Sequence, residues 1–292
     1  MASKINLSPE QIQNIMSLYQ NDGYSAQTIS TIIGHSSGFV QQLLRLNGLK
    51  LRTLSKACNR VKNLNNIFET IDTEYSAYYL GLFFADGSIK KDNNNCCELK
   101  LIEQDRYILS KLSNLIFRKD RTIFINYKSY SYAGNANNLY TLKIVSPEIK
   151  NSLISYGCTP RKSLTLKFPQ NIPDHLLNHF IRGYFDGDGC IQKDNDGKDF
   201  KFSIISTDDF CQSVKNIVDR FNIYCRISIN HPSNNITKSL NINGNRQVLK
   251  FMTWLYKDAT YYLERKHNKY LELVERCADI DRRYPNRFNK YH

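Results

Sequence analysis

The 292-residue sequence predicts an α+β fold in which a small all-α domain precedes two pseudo-symmetric halves, each running αββαββα. Three observations predict it. An apolar, glycine-containing stretch closing in Asp-Gly occurs twice, as Tyr79-Leu80-Gly81-Leu82-Phe83-Phe84-Ala85-Asp86-Gly87 and as Ile181-Arg182-Gly183-Tyr184-Phe185-Asp186-Gly187-Asp188-Gly189. Asp188 follows Asp86 by 102 residues, an interval too long for a solenoid unit and suited to two copies of a small domain around a pseudo-twofold axis. The same succession of strand-like and helix-like runs follows each copy, and the residues before 57 have no part in the repeat.

Taken in order, residues 1–56 form the helical domain. Between Tyr24 and Gly48, Ser30 takes the small site of a first helix, Gly34 the turn and Val40 the buried site of a second helix, with Ile29, Ile33 and Leu43 as core. This spacing resembles a helix-turn-helix, whose second helix, about Ser37 to Leu46, would enter the DNA major groove. Ser36, Ser37, Gln41, Gln42 and Arg45 are then the candidate contacts, glutamine matching adenine and arginine matching guanine or phosphate. A helical hairpin with a purely structural role is the alternative. Seven Lys/Arg against Glu10 and Asp22 over residues 1–62 favour the DNA role. Residues 57–71 are asparagine-rich and predict a polar linker; Lys56, Arg60 and Lys62, in and beside it, are candidate contacts to DNA between the modules.

The first half spans 72–168 and the second 169–292. After Asp86 come an extended run, a loop at Lys91 to Asn95, the alternating strand Glu98-Leu99-Lys100-Leu101-Ile102 and a helix from Asp105 through Phe117. After Asp188 come Cys190-Ile191-Gln192, a hairpin at Asp196-Gly197, the strand Lys201 to Ile205 and a helix from Thr207 to Phe221, capped by Thr207 or Asp208. Two further strands close each half (Thr122 to Tyr130 and Leu139 to Val145; Cys225 to Asn230 and Ser239 to Asn243), each pair followed by a helix. Asp194, Asp196 and Asp199 fit a hairpin turn better than a calcium loop, and Trp254 with Phe251 and Leu255 fits helix core.

In the repeated stretch, Gly81 with Ala85 and Gly183 with Gly187 stand at i, i+4, so one face of each helix is nearly bare and two backbones can approach closely. Each acid then ends its helix, where Gly87 or Gly189 can take positive φ and where the partly negative carbonyl end favours a cation. Two close carboxylates repel unless metal intervenes. One Asp-Gly alone would be an ordinary helix cap and turn; the repetition argues for more.

These stretches resemble the name-giving motif of LAGLIDADG homing endonucleases. The resemblance implies a saddle of two sheets over DNA, with Asp86 and Asp188, and the adjoining Gly87 and Gly189, at the metal. Mg²⁺ (or Mn²⁺) is the implied cofactor, and the partner is double-stranded DNA with a long asymmetric target, cut on both strands by a monomer. The family carries a further acid two positions before the catalytic one; Asp186 supplies it in the second copy, whereas the first has Phe84. It also carries a basic residue near the site. Lys162, 76 residues after Asp86, and Lys266, 78 after Asp188, match it, to stabilise charge or hold the attacking water; solvated surface lysines are the alternative. Glu103 is the candidate for positioning water, with Ser206 as its counterpart, although a surface helix start explains both equally. A DNA-binding regulator that has lost cleavage and a group I intron maturase binding folded RNA are the rival functions on the same fold.

Net charge +13 and a pI near 9.3 imply an anionic partner, and 41% hydrophobic content suffices for real cores. The sequence has no apolar run long enough for a bilayer and no secretory h-region. Eight cysteines without a Cys-x-x-Cys pair argue against a zinc site or disulfide framework and for reduced thiols inside the cell. The ends lack the cysteine and His-Asn of a self-splicing intein, so a free-standing or intron-encoded protein is expected.

Overall fold

The computed structural model describes residues 7–21, 24–51, 64–91, 95–121, 123–130, 136–194, 196–231 and 234–284, within two compact units, Met1–Asn63 and Leu64–His292. Three helices make the first unit: α1 (Pro9–Gln20), α2 (Ala26–Ile33) and α3 (Ser37–Leu46). Each begins at a serine, Ser8, Ser25 or Ser36, whose hydroxyl accepts a backbone N–H of the first turn. Gly34 ends α2 at φ +71°, a left-handed turn that a Cβ would strain. Ile29, Ser30, Val40 and Leu43 are buried as their spacing predicts, joined by Leu44 and by Ile15 and Tyr19 of α1. Lys56, Arg60 and Lys62 lie outside the described residues.

The larger unit starts earlier than predicted. Residues 64–71, expected as the end of a polar linker, belong to its core: Ile67, Phe68 and Ile71 are buried there, Phe68 edge-on to Phe83. Three apolar residues among asparagines are anchors that composition alone does not reveal.

The first half contains α4 (Glu74–Asp86), β1 (Gly87–Ile89), β2 (Cys96–Ile102), α5 (Arg106–Phe117), β3 (Ile123–Tyr130), β4 (Ala136–Val145) and α6 (Pro147–Ser155). The second repeats it with α7 (Leu177–Asp188), β5 (Gly189–Lys193), β6 (Phe200–Thr207), α8 (Asp208–Asp219), β7 (Cys225–His231), β8 (Asn234–Asn243) and α9 (Asn245–Leu255). A twenty-residue helix, α10 (Glu264–Arg283), follows and goes beyond the predicted repeat. Both sheets are antiparallel, in the orders β1-β2-β4-β3 and β5-β6-β8-β7. Alternation buries Cys97, Leu99, Leu101, Leu142 and Ile144 on one face of the first sheet, and Phe200, Phe202, Ile204, Leu240 and Ile242 on one face of the second. The opposite faces are mainly polar. Among the described residues no helix is long and apolar enough to cross a membrane.

The unit is organised by α4 against α7. Thr73 caps α4 in a reciprocal box with Ser76, fixing where the helix starts. Gly81 and Gly183 meet the partner helix backbone: a methyl at Gly81 would strike the Phe180 carbonyl oxygen, and one at Gly183 the Tyr78 carbonyl oxygen. The expected positive φ at the helix ends is absent. Gly87 and Gly189 are extended, at φ −73° and −95°, and lead straight into β1 and β5. Glycine is needed there for space, because a Cβ would run into the backbone and ring of Phe83 or Phe185.

Candidate active site

The α4 and α7 contact decides where the two acids lie. Both are the last residues of their helices, and the Asp86 carboxylate lies across Gly187: a methyl there would come within 2.9 Å of Asp86 Oδ2. Asp188 is the next residue. Each side chain reaches solvent while protein crowds its remaining sides. This crowding and the like charge of Asp188 push the Asp86 carboxyl up to about 6, against the pull of Lys266, Lys162 and Arg265. Asp188 is raised as well, by burial, with Lys162, Lys266 and the Tyr184 hydroxyl acting the other way.

Lys162 and Lys266 are brought to the same place, but not as solvated side chains. Each is only 6% exposed. Lys162 Nζ donates to the carbonyls of Ala85 (3.3 Å) and Gly87 (2.5 Å); Lys266 Nζ donates to those of Phe185 (2.5 Å), Asp186 (2.8 Å) and Gly189 (2.7 Å). An ammonium has three donors, so Lys266 spends all of them on the end of α7. Each lysine thus neutralises the negative end of a motif helix and fixes the turn that carries the acid. Burial pushes Lys266 down to about 8, with Asp186 and Asp86 opposing the fall.

The Gly87 and Gly189 carbonyls accept from the lysine ammoniums and anchor those side chains. Ser206 is not the counterpart of Glu103. Gly87 faces Leu99 and Gly189 faces Ile204, which puts Ser206 opposite Leu101 in the repeat, and its side chain points inward with its hydroxyl buried. Equal counting along the sequence missed the unequal loops between strands. Glu103 itself is exposed, in a 3₁₀ turn (Glu103–Asp105) just beyond β2. In the first unit, Ser36 is occupied as the α3 cap, Ser37 and Gln41 are half-buried, and Gln42 and Arg45 are exposed.

Of a polar network across the two halves, the sequence singles out Asp186 alone. Asp186 is buried at the helix interface and accepts from the Tyr78 hydroxyl (2.8 Å) and the Leu263 N–H (2.8 Å). Burial raises it to about 6. Phe84, its counterpart in the repeat, packs on Phe180 instead. Arg182, wholly buried, binds Glu74 Oε1 (2.7 Å), His179 Nδ1 (2.9 Å) and the carbonyls of Leu255 and Tyr261. Glu74 also accepts from the Tyr261 N–H, and Arg265 donates to the buried Asp105 at 3.0 Å. The segment bearing Lys266 is therefore fastened to the first half. The polar type of Arg182 within an apolar stretch was the one available signal.

Two carboxylates that repel across a solvent-open gap are a fitting seat for a hard divalent cation with oxygen ligands. Among the described residues no group of three or more His, Cys, Asp or Glu forms a closed metal cage.

Residues 176–254 match the family model of the LAGLIDADG-like domain, so the second half carries a LAGLIDADG-like domain. The chain is similar over most of its length to solved LAGLIDADG homing endonucleases. I-GzeII in complex with its DNA target is 14% identical with a TM-score of 0.44, covering 76% of this chain and 95% of that one. I-LtrWI bound to target DNA is 13% identical with a TM-score of 0.42, covering 69% and 90%. Among curated proteins, two from Methanocaldococcus jannaschii are similar: DNA-directed RNA polymerase subunit Rpo1C, 23% identical over 218 residues, and a probable translation initiation factor IF-2, 27% identical over 225. The alignments take in 74% and 71% of this chain but only 23% and 17% of those proteins.

Proposed function

We propose that the protein is a site-specific, metal-dependent endonuclease that cuts both strands of DNA. The observation that carries this reading is the placement of Asp86 and Asp188 side by side at the solvent-open end of a glycine-packed helix pair. Mg²⁺ (or Mn²⁺) held between them would supply an activated water and a counter-charge for the leaving oxygen. The chain's own residues do the rest: Asp86 and Asp188 present paired anionic oxygens, and Lys162 and Lys266 keep the turns bearing them fixed. Glu103, exposed beyond β2, is the candidate to orient water. One chain supplies both motif copies, so a monomer suffices for a long asymmetric site. The basic first unit adds contacts to DNA through Gln42 and Arg45 of α3, with Lys56, Arg60 and Lys62 as further candidate contacts. An intracellular setting accords with this reading.

The test is cleavage of a randomised duplex library by the full chain with Mg²⁺, followed by the Asp188→Asn variant on a selected site. The variant is expected to lose double-strand cutting and to keep binding DNA in Ca²⁺. Undiminished cutting by Asp188→Asn would remove the catalytic assignment.

A further inference from the structure

The two lysines at the site have little to give a substrate. Lys266 spends all three donors on the carbonyls of Phe185, Asp186 and Gly189, Lys162 spends two of its three on those of Ala85 and Gly87, and each residue is only 6% exposed. A scissile phosphate beside Asp86 therefore needs a cation from elsewhere. Arg265 stands next to Lys266 at the start of α10, with its side chain 37% exposed, and its charge reaches the Asp86 carboxyl. The cations acting on Asp188 are Lys162 and Lys266.

Arg265 is built into its place. Just before it, the Glu264 N–H donates to the Tyr107 hydroxyl (2.6 Å), which donates to the Tyr262 carbonyl (2.7 Å), so the backbone leading into α10 is pinned to α5 of the first half. The guanidinium is held by Nε alone, which donates to Asp105 Oδ2 at 3.0 Å. Asp105 is 1% exposed, and its Oδ1 has no hydrogen-bond partner among the described residues; a buried carboxylate this poorly satisfied is tolerable only beside a cation. Both Nη groups of Arg265, four N–H donors in all, have no hydrogen-bond partner among the described residues. They form the flat edge that binds a phosphate through two parallel hydrogen bonds. Asp105 closes the 3₁₀ turn that Glu103 opens, so the guanidinium is fixed beside the turn that carries the water-orienting candidate. Arg161, in the same place before Lys162, lacks this support: it is exposed, at φ +60°, and makes no ion pair among the described residues.

We infer that Arg265 is the catalytic cation for one strand: its Nη groups bind the scissile phosphate beside Asp86 and offset the negative charge that builds there during cutting, with Asp105 as the positioning residue. The inference rests on the endonuclease reading proposed above. Its test is single-turnover cleavage of a selected site, with each strand labelled separately, by saturating full-length protein in Mg²⁺. Arg265→Ala is expected to slow one strand by roughly a hundredfold or more and to leave the other near the wild-type rate, so that nicked duplex accumulates. Affinity in Ca²⁺ should fall far less, and free guanidinium ion should restore part of the lost rate. Asp105→Asn is expected to slow the same strand by less, and Arg161→Ala to slow neither. Both strands at the wild-type rate, both slowed alike, or a slowed strand that guanidinium does not restore would overturn the inference. Should Arg265→Ala lack a cooperative thermal transition, Arg265→Lys, which keeps a cation for Asp105, decides in its place: one slowed strand supports the inference, and both slowed alike or neither overturns it. A wild-type chain that cuts neither strand would refute the endonuclease reading itself, a different outcome from wild-type cutting that Arg265→Ala leaves intact.

Discussion

Replacing Gly183 with alanine tests the helix contact on which the site depends. The added methyl would collide with the Tyr78 carbonyl oxygen and approach the Leu82 N–H, 3.0 Å from its nitrogen. These are backbone atoms of α4 and cannot swing aside, so the helices must separate. Overpacking of this kind costs about 1–3 kcal/mol or more, while alanine recovers about 1 kcal/mol of helix propensity. A net loss of about 2 kcal/mol corresponds to a Tm lower by about 4–8 °C for a unit of this size. Cleavage should fall more steeply than stability, because widening the pair separates Asp86 from Asp188. Gly38→Ala in α3 is the control: nothing lies within 4 Å of its added methyl, so the helix gain stands alone and Tm should hold or rise. Scanning calorimetry reads the stability and a plasmid assay the cutting. A Gly183→Ala protein with wild-type Tm and wild-type cutting would show that α4 and α7 do not meet backbone to backbone.

Three other outcomes follow from the same structure. Asp86→Asn should raise Tm at pH 7.5 in the absence of metal: the folded carboxyl titrates near 6, above its unfolded value, so its ionisation opposes folding above that pH. The gain should shrink as pH falls from 6 toward 4, and a constant difference across that range would remove the repulsion argument. Glu74→Ala leaves the buried Arg182 guanidinium without its counter-charge and should cost about 3–5 kcal/mol in urea denaturation; a loss below 1 kcal/mol would show the pair to be dispensable. Lys266→Met strips three carbonyls of a donor and Lys162→Met only two, so the former should unfold at the lower urea concentration, and equal midpoints would contradict the cap role.

Local pattern made much of this fold legible. The period of the apolar runs, the cap at Thr207 and the small residues Gly81 and Gly183 are signals carried within a few positions, and the structure places helices, strands and the helix pair accordingly. What local pattern could not convey was any partner distant in sequence. Glu74 opens α4 as an ordinary first-turn acid, yet it reaches Arg182 more than a hundred positions away. Lys162 and Lys266 were identifiable by offset, but their burial against helix-end carbonyls depends on how the chain returns to the site. Ser206 was paired with Glu103 by counting along the chain, where only strand register gives the match.

The Arg182 and Glu74 link runs one way, for its counterparts in the repeat, Leu80 and Leu176, are apolar. The two halves are thus no longer interchangeable modules. A chimera that joins either half to a foreign one inherits a stranded guanidinium or a stranded carboxylate unless Glu74, Arg182 and the 260–266 segment travel together. For re-engineering by domain shuffling, the unit of exchange is this cross-braced set and not the half itself.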